Sequence, residues 1–216
     1  MKHRSDDILH PSQARYLEAL EPPRDALLAK MEALAAQQGQ PISDPEVASF
    51  LAVTVRAMGA KRILEVGTNI GYGAIVMARA AAPAGHVVTL EKSHELCETA
   101  RDFARQAGLE KAVDVREGDA IAALEKLTDT FDLAYVDCVK EDYPRYLELL
   151  APRMRAGGVV VADNVLWRGL VASDAVPANE SARVEALRAF NRAITASPFR
   201  GVVLPLGDGV AYAVKL

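Results

Sequence analysis

From residue 61 onward the chain repeats one pattern, a short β-branched run, a turn and an amphipathic stretch, and that repetition fixes the fold class. Residues 62–66 read as a first strand and 72–82 as the helix behind it. Residues 86–90 are a second strand. Ser93 can cap the next helix, which turns Leu96, Ala100, Phe103, Ala104 and Ala107 to one side. Three more strands follow at 112–116, 131–136 and 158–162. Strands that alternate with helices assemble as right-handed βαβ units on a parallel sheet. The tail breaks the rule: residues 201–206 and 210–214 flank Gly207-Asp208-Gly209, a hairpin signal that makes the last strand antiparallel. The expected architecture is α/β, a doubly wound seven-stranded mostly parallel sheet with a C-terminal antiparallel hairpin.

Ahead of the sheet, residues 1–60 read as a helical cap on a core spanning 61–216, the whole forming a single domain. Leu27, Leu28, Met31, Leu34 and Ala35 recur at helical spacing, as do Val47, Phe50, Leu51, Thr54, Val55 and Met58. Gly59 stops the second of these helices, and Pro22-Pro23 and residues 39–44 punctuate the region. The net charge of -4 gives no bulk attraction to nucleic acid or anionic lipid. The charged start MKHRSDDILH lacks the apolar run of a signal peptide, and no stretch reaches the ~20 apolar residues of a membrane span. Two cysteines without a CxxC and four scattered histidines argue against disulfide scaffolding and zinc. A cytoplasmic protein without a membrane partner is expected.

Open α/β sheets bind ligands beyond the carboxyl ends of their strands. After the first strand come Glu65, then Gly67, Thr68, Gly71, Tyr72 and Gly73, a loop whose glycines allow sharp turning and close approach. The second strand ends at Glu91, where a carboxylate can accept both hydroxyls of a ribose. The third region ends at Asp119 and Ala120, placed to meet an adenine edge. A glycine loop with a strand-two acid is equally compatible with NAD. The spacing here, however, is G-x-x-x-G-x-G, and Glu65 beside the loop would repel a pyrophosphate while suiting an ammonium and a sulfonium. That combination favours S-adenosylmethionine.

The fourth strand ends in Asp137 and the fifth in Asp163-Asn164, three oxygen donors that neighbouring strand ends would bring together. Such a set suits a hard dication, Mg²⁺ or alternatively Mn²⁺ or Ca²⁺. Lys140, three residues beyond Asp137, is a candidate general base, its pKa expected to be depressed by desolvation and a nearby cation. Tyr143 and Tyr146 follow at helical spacing and read as packing, Cys138 as a small space-filler, and residues 168–180 as a loop able to cover the site. Trp167, the only tryptophan, is a candidate wall for an aromatic acceptor.

These residues resemble the catechol and caffeoyl-CoA O-methyltransferase family. The segments that carry the resemblance are LEVGTNIGYGA (64–74), TLEKS (89–93), EGDA (117–120), VDCVKEDYPRY (136–146), ADNVLWRG (162–169) and PLGDGVAY (205–212). The resemblance implies a Rossmann-like methyltransferase fold and methyl transfer from S-adenosylmethionine to a chelated hydroxyl. It implies metal ligation by Asp137, Asp163 and Asn164, with Asp137 also against the cofactor and Lys140 as base. Glu91 would hold the ribose, Asp119 and Ala120 the adenine, and Ser43 would make a cofactor contact ahead of the sheet. Gly73 departs from the serine of many members, and Val139 from a second aspartate in plant members. The implied acceptor is a small catechol-like or hydroxycinnamoyl aromatic with vicinal hydroxyls, or alternatively 5-hydroxyuridine in tRNA, and the implied assembly is a homodimer.

Overall fold

The β-branched runs form the centre of the molecule. A computed structural model describes residues 10–20, 23 and 25–216, so the start MKHRSDDIL and Pro22 lie outside the described residues. Three helices come first, α1 (Pro11–Leu20), α2 (Ala26–Gln38) and α3 (Pro45–Met58). Then follow β1 (Arg62–Val66), α4 (Tyr72–Ala81), β2 (His86–Glu91), α5 (His94–Gln106), β3 (Val113–Glu117) and α6 (Ala120–Lys126). The second half holds β4 (Phe131–Val136), α7 (Tyr143–Leu150), β5 (Met154–Ala162), α8 (Ser181–Ile194), β6 (Phe199–Leu204) and β7 (Val210–Lys215). The strands form one seven-stranded sheet in the order β3-β2-β1-β4-β5-β7-β6. Pairing is parallel from β3 to β5, and β7 runs antiparallel to both β5 and β6.

Local chemistry explains the boundaries. Asp25 caps α2 by accepting from the Leu27 and Leu28 amides at 2.9 and 3.1 Å, and Gly59 closes α3 in the left-handed conformation. Ser93 caps α5, although its buried face is Cys97, Ala100, Phe103 and Ala104, with Leu96 and Ala107 only partly covered. The strand β5 begins at Met154, earlier than residue 158, because Met154 pairs with Phe131 before a register shift. The strand β6 covers Phe199–Leu204 and not 201–206, since Pro205 has no amide to continue a ladder. Residues 168–180 contain two single 3₁₀ turns, Leu170–Ala172 and Ala178–Glu180.

Helices cover both faces of the sheet. Leu64, Val66, Val136, Val160 and Phe190 belong to one buried cluster, and Ile63, Met77, Leu133, Tyr135 and Val161 to the other. The order reverses between β1 and β4, so their carboxyl ends diverge into a crevice, the place where such sheets hold ligands. Among the described residues no helix is long and apolar enough to cross a membrane.

Candidate functional site

At that crevice lies a cavity of about 570 Å³, lined by the loops after β1, β4 and β5, by Glu91 at the end of β2, by residues 41–44, and by Arg183 and Asp208. The glycine loop sets its floor. Gly67 has φ +101°, and a Cβ there would collide with the Asp137 carbonyl oxygen, so only glycine lets the loop after β1 lie against the end of β4. The Asp137 amide in turn donates to the Val66 carbonyl at 2.9 Å.

Each carboxylate at this end has its own support. Glu91 accepts from the Lys92, Ser93 and Asn69 amides, each at 3.0 Å, which fixes both of its oxygens. Glu65 is 1 % exposed and accepts from the Thr89 hydroxyl at 2.5 Å, itself 2.5 Å from the Thr68 hydroxyl. Burial pushes the Glu65 carboxyl up to about 8 against the lowering effect of Thr89, with Asp137 and Glu91 adding to the rise. The carboxylate expected from sequence is thus a neutral acid near pH 7 in the protein alone, because nothing cationic offsets its desolvation there. A Cβ at Gly73 would run into Glu65 Oε1, so the missing side chain leaves room for this carboxyl group.

Other expected cofactor residues divide into two groups. Ser43 is buried on the cavity wall, its hydroxyl 2.9 Å from the Tyr135 hydroxyl. Tyr72 also lines the cavity and donates to Glu32 Oε1 at 2.6 Å. Gly71 is elsewhere: with φ +88° it packs the start of α4 onto Ala100, where a Cβ would lie 3.1 Å from the Ala100 Cβ. Asp119 caps α6, accepting from the Ala122 amide at 2.9 Å, and Ala120 is buried behind it. These three are outside the cavity walls. Asn69 was missed from sequence. It holds φ +49° in the loop, and its amide side chain donates to the Pro41 carbonyl at 3.0 Å, tying residues 40–44 to the glycine loop.

The other end of the cavity is built from charged side chains. The Asp163 amide donates to the Val136 carbonyl at 3.0 Å, which brings the ends of β4 and β5 side by side. Asp137, Asp163 and Asn164 all line the cavity. Asp163 is 1 % exposed; its Oδ1 accepts from the Asn164 amide at 2.6 Å, and Asn164 takes a left-handed φ of +56°. Among the described residues no group of three or more His, Cys, Asp or Glu side chains has metal-holding geometry, so any dication here would use two carboxylates and a carboxamide. All-oxygen donors of this kind fit a hard cation.

Lys140 is tied to two neighbours. Its Nζ lies 2.7 Å from Asp137 Oδ1 and donates to the Tyr143 hydroxyl at 2.8 Å. Desolvation works against its charge, but the Asp137 carboxylate and Tyr143 outweigh it, so its pKa is raised in the protein alone; the depression expected from sequence belongs to a site that also holds a cation. Tyr143 is more than packing. Fully buried, its hydroxyl also bonds the Asp163 carbonyl at 2.9 Å and so links the Lys140 amine to the end of β5. Cys138 is half-buried on the wall and Val139 is exposed there. Trp167 lines the cavity too, with Nε1 donating to Glu180 Oε2 at 2.9 Å.

A mostly parallel sheet closed by an antiparallel pair, with a glycine loop and a strand-two acid at its switch point, defines a Rossmann-like methyltransferase fold. The chain belongs to the O-methyltransferase family, whose sequence model matches residues 24–216. It is 36 % identical over 185 residues to mouse catechol O-methyltransferase domain-containing protein 1, covering 83 % of this chain and 70 % of that protein. Against the catechol O-methyltransferase of Niastella koreensis it is 35 % identical over 199 residues, 88 % of this chain and 90 % of the relative. The O-methyltransferase TomG of Streptomyces achromogenes, solved in complex with S-adenosylmethionine, superposes with a TM-score of 0.85 at 29 % identity, covering 100 % of this chain and 99 % of TomG.

Proposed function

We propose that this protein methylates one hydroxyl of a small aromatic bearing two vicinal hydroxyls, using S-adenosylmethionine and a divalent cation. The observation that carries the reading is the Asp137–Lys140–Tyr143 cluster beside Asp163, facing the glycine loop across a single cavity. The cofactor supplies an electrophilic methyl group, and the cation supplies Lewis acidity toward the acceptor oxygens.

Residues of this chain do the rest. Glu91, held by three backbone amides, would accept a ribose diol, while Asp137 would provide negative charge for a cationic cofactor and Glu65 would add to it on ionising beside that cofactor. Asp137, Asp163 and Asn164 would hold the cation, and holding both reactants in one cavity makes the encounter intramolecular. Lys140 Nζ would take the acceptor proton. In the protein alone Asp137 sustains its ammonium; committing that carboxylate to a dication would leave burial, which favours the neutral amine. Support for the acceptor class comes from the flat indole of Trp167 on the cavity wall and from the catechol-type relatives.

Methyl transfer to catechol, followed by mass spectrometry with and without EDTA, tests the proposal. Product formation that EDTA abolishes and Mg²⁺ restores is expected. No catechol product under any metal condition, with methylation of 5-hydroxyuridine in hypomethylated tRNA, would move the acceptor to RNA.

A further inference from the structure

Trp167 sits at φ +46° and Arg168 at φ +55°, a conformation that bulky residues seldom adopt and that the surroundings must impose. Two sets of contacts impose it. From the β6–β7 turn, Asp208 Oδ1 accepts from the Arg168 amide at 2.6 Å, and the Asp208 carbonyl accepts from the Leu166 amide at 3.1 Å. From α8, the Arg183 guanidinium lies over the indole at 4.7 Å from the ring centroid. The same guanidinium donates to Glu180 Oε2 at 2.8 Å, the oxygen that also accepts the indole N–H at 2.9 Å. Its other arm reaches Glu141 at 3.1 Å, next in sequence to Lys140. The guanidinium therefore lies over the indole, both line the cavity, and Arg183 ties the pair through Glu141 to the turn that carries the lysine.

We propose that Arg183 is a positioning and specificity residue for the acceptor, fixing the Trp167 indole as the wall against which an aromatic ring stacks. A planar guanidinium can cover an indole face and hold two carboxylates at once; an ammonium can do only one of these well. The link through Glu141 sets the spacing between that wall and Lys140, so the stack selects flat acceptors of a set thickness. This inference rests on the aromatic-hydroxyl reading above.

Because Trp167 is the only tryptophan, its fluorescence reports the wall directly. The experiment compares wild type, Arg183→Ala, Arg183→Lys, Trp167→Phe and Trp167→Leu, using catechol as the probe, titrated with Mg²⁺ and the demethylated cofactor present. Arg183→Ala should shift the emission, raise iodide quenching and increase the catechol KM about tenfold, with kcat and the cofactor KM changed far less. Arg183→Lys should resemble the alanine variant, and thermal melts will show that both remain folded; as Arg183 is only partly buried on α8, at least the lysine variant should fold. Unchanged emission and unchanged catechol KM in a folded Arg183 variant would overturn the positioning role. Wild-type KM in Trp167→Phe together with Trp167→Leu would overturn the wall itself. Wild-type enzyme that quenches on catechol addition but transfers no methyl group would defeat the functional reading while leaving the wall intact.

Discussion

The two ends of the cavity hold their charges in different ways. At the glycine-loop end the carboxylates rest on backbone amides and neutral hydroxyls, three amides for Glu91 and the Thr89–Thr68 pair for Glu65. At the acceptor end charge rests on charge, Lys140 on Asp137 and Arg183 on Glu180 and Glu141. A backbone-supported group loses its own bonds when truncated. Removing one member of a buried charge pair, by contrast, strands its partner in low dielectric, so acceptor-end changes should be the more damaging.

The largest effect should follow Lys140→Ala. The change removes the proposed base and leaves the Asp137 carboxylate without its 2.7 Å partner. Turnover should fall by about 10² to 10⁴, the range for general acid–base catalysis, while cofactor affinity changes far less. Single-turnover methyl transfer together with calorimetric titration of the cofactor checks both halves. Near-normal turnover would remove Lys140 from the chemistry.

Glu91→Ala comes next and probes the opposite end. Hydrogen bonds to charged groups are each worth about 1.5–3 kcal/mol, so the cofactor Kd should rise roughly ten- to a hundredfold. Turnover at saturating cofactor should hold, because no acceptor-end group touches Glu91. An equal loss in kcat would erase the distinction between the two ends.

The same division explains what the sequence makes legible. Strands β1, β2 and β4 are readable because short β-branched runs bounded by turns admit little else, and Gly67 and Glu91 follow from their places after those strands. Spacing cannot say why a glycine is needed. Gly71 falls in the loop motif yet serves the packing of α4 on Ala100, and Asp119 falls at a strand end yet caps α6. The acceptor end was half legible. Asp137, Asp163 and Lys140 sit in local motifs, whereas Tyr143's bond to Lys140 and the Arg183 stack on Trp167 depend on partners that only the fold brings together. A spacing of three shows that Lys140 can reach Asp137 but not that, without a cation, the carboxylate outweighs desolvation and holds the amine charged.

Glu65→Gln should have the smallest effect on turnover and the most informative pH dependence. An unfolded Glu65 titrates near its ordinary 4.5, while the folded group keeps its proton until about 8. Between those values the folded state binds more protons than the unfolded chain, so this residue's contribution makes stability fall as pH rises. Glutamine mimics the protonated form and cannot titrate. Wild type should therefore lose stability relative to Glu65→Gln across pH 5 to 8, by less than about 1.4 kcal/mol per pH unit, and match it below pH 4.5. Cofactor binding adds a second reading. A cationic ligand beside Glu65 favours its ionised form, so wild type should release a proton on binding near pH 7 and the glutamine variant should release less. Calorimetry in buffers of different ionisation enthalpy measures that difference. Parallel stability profiles and equal proton release would mean that Glu65 is already ionised in the free protein, and the glycine-loop end would then carry buried charge much as the acceptor end does.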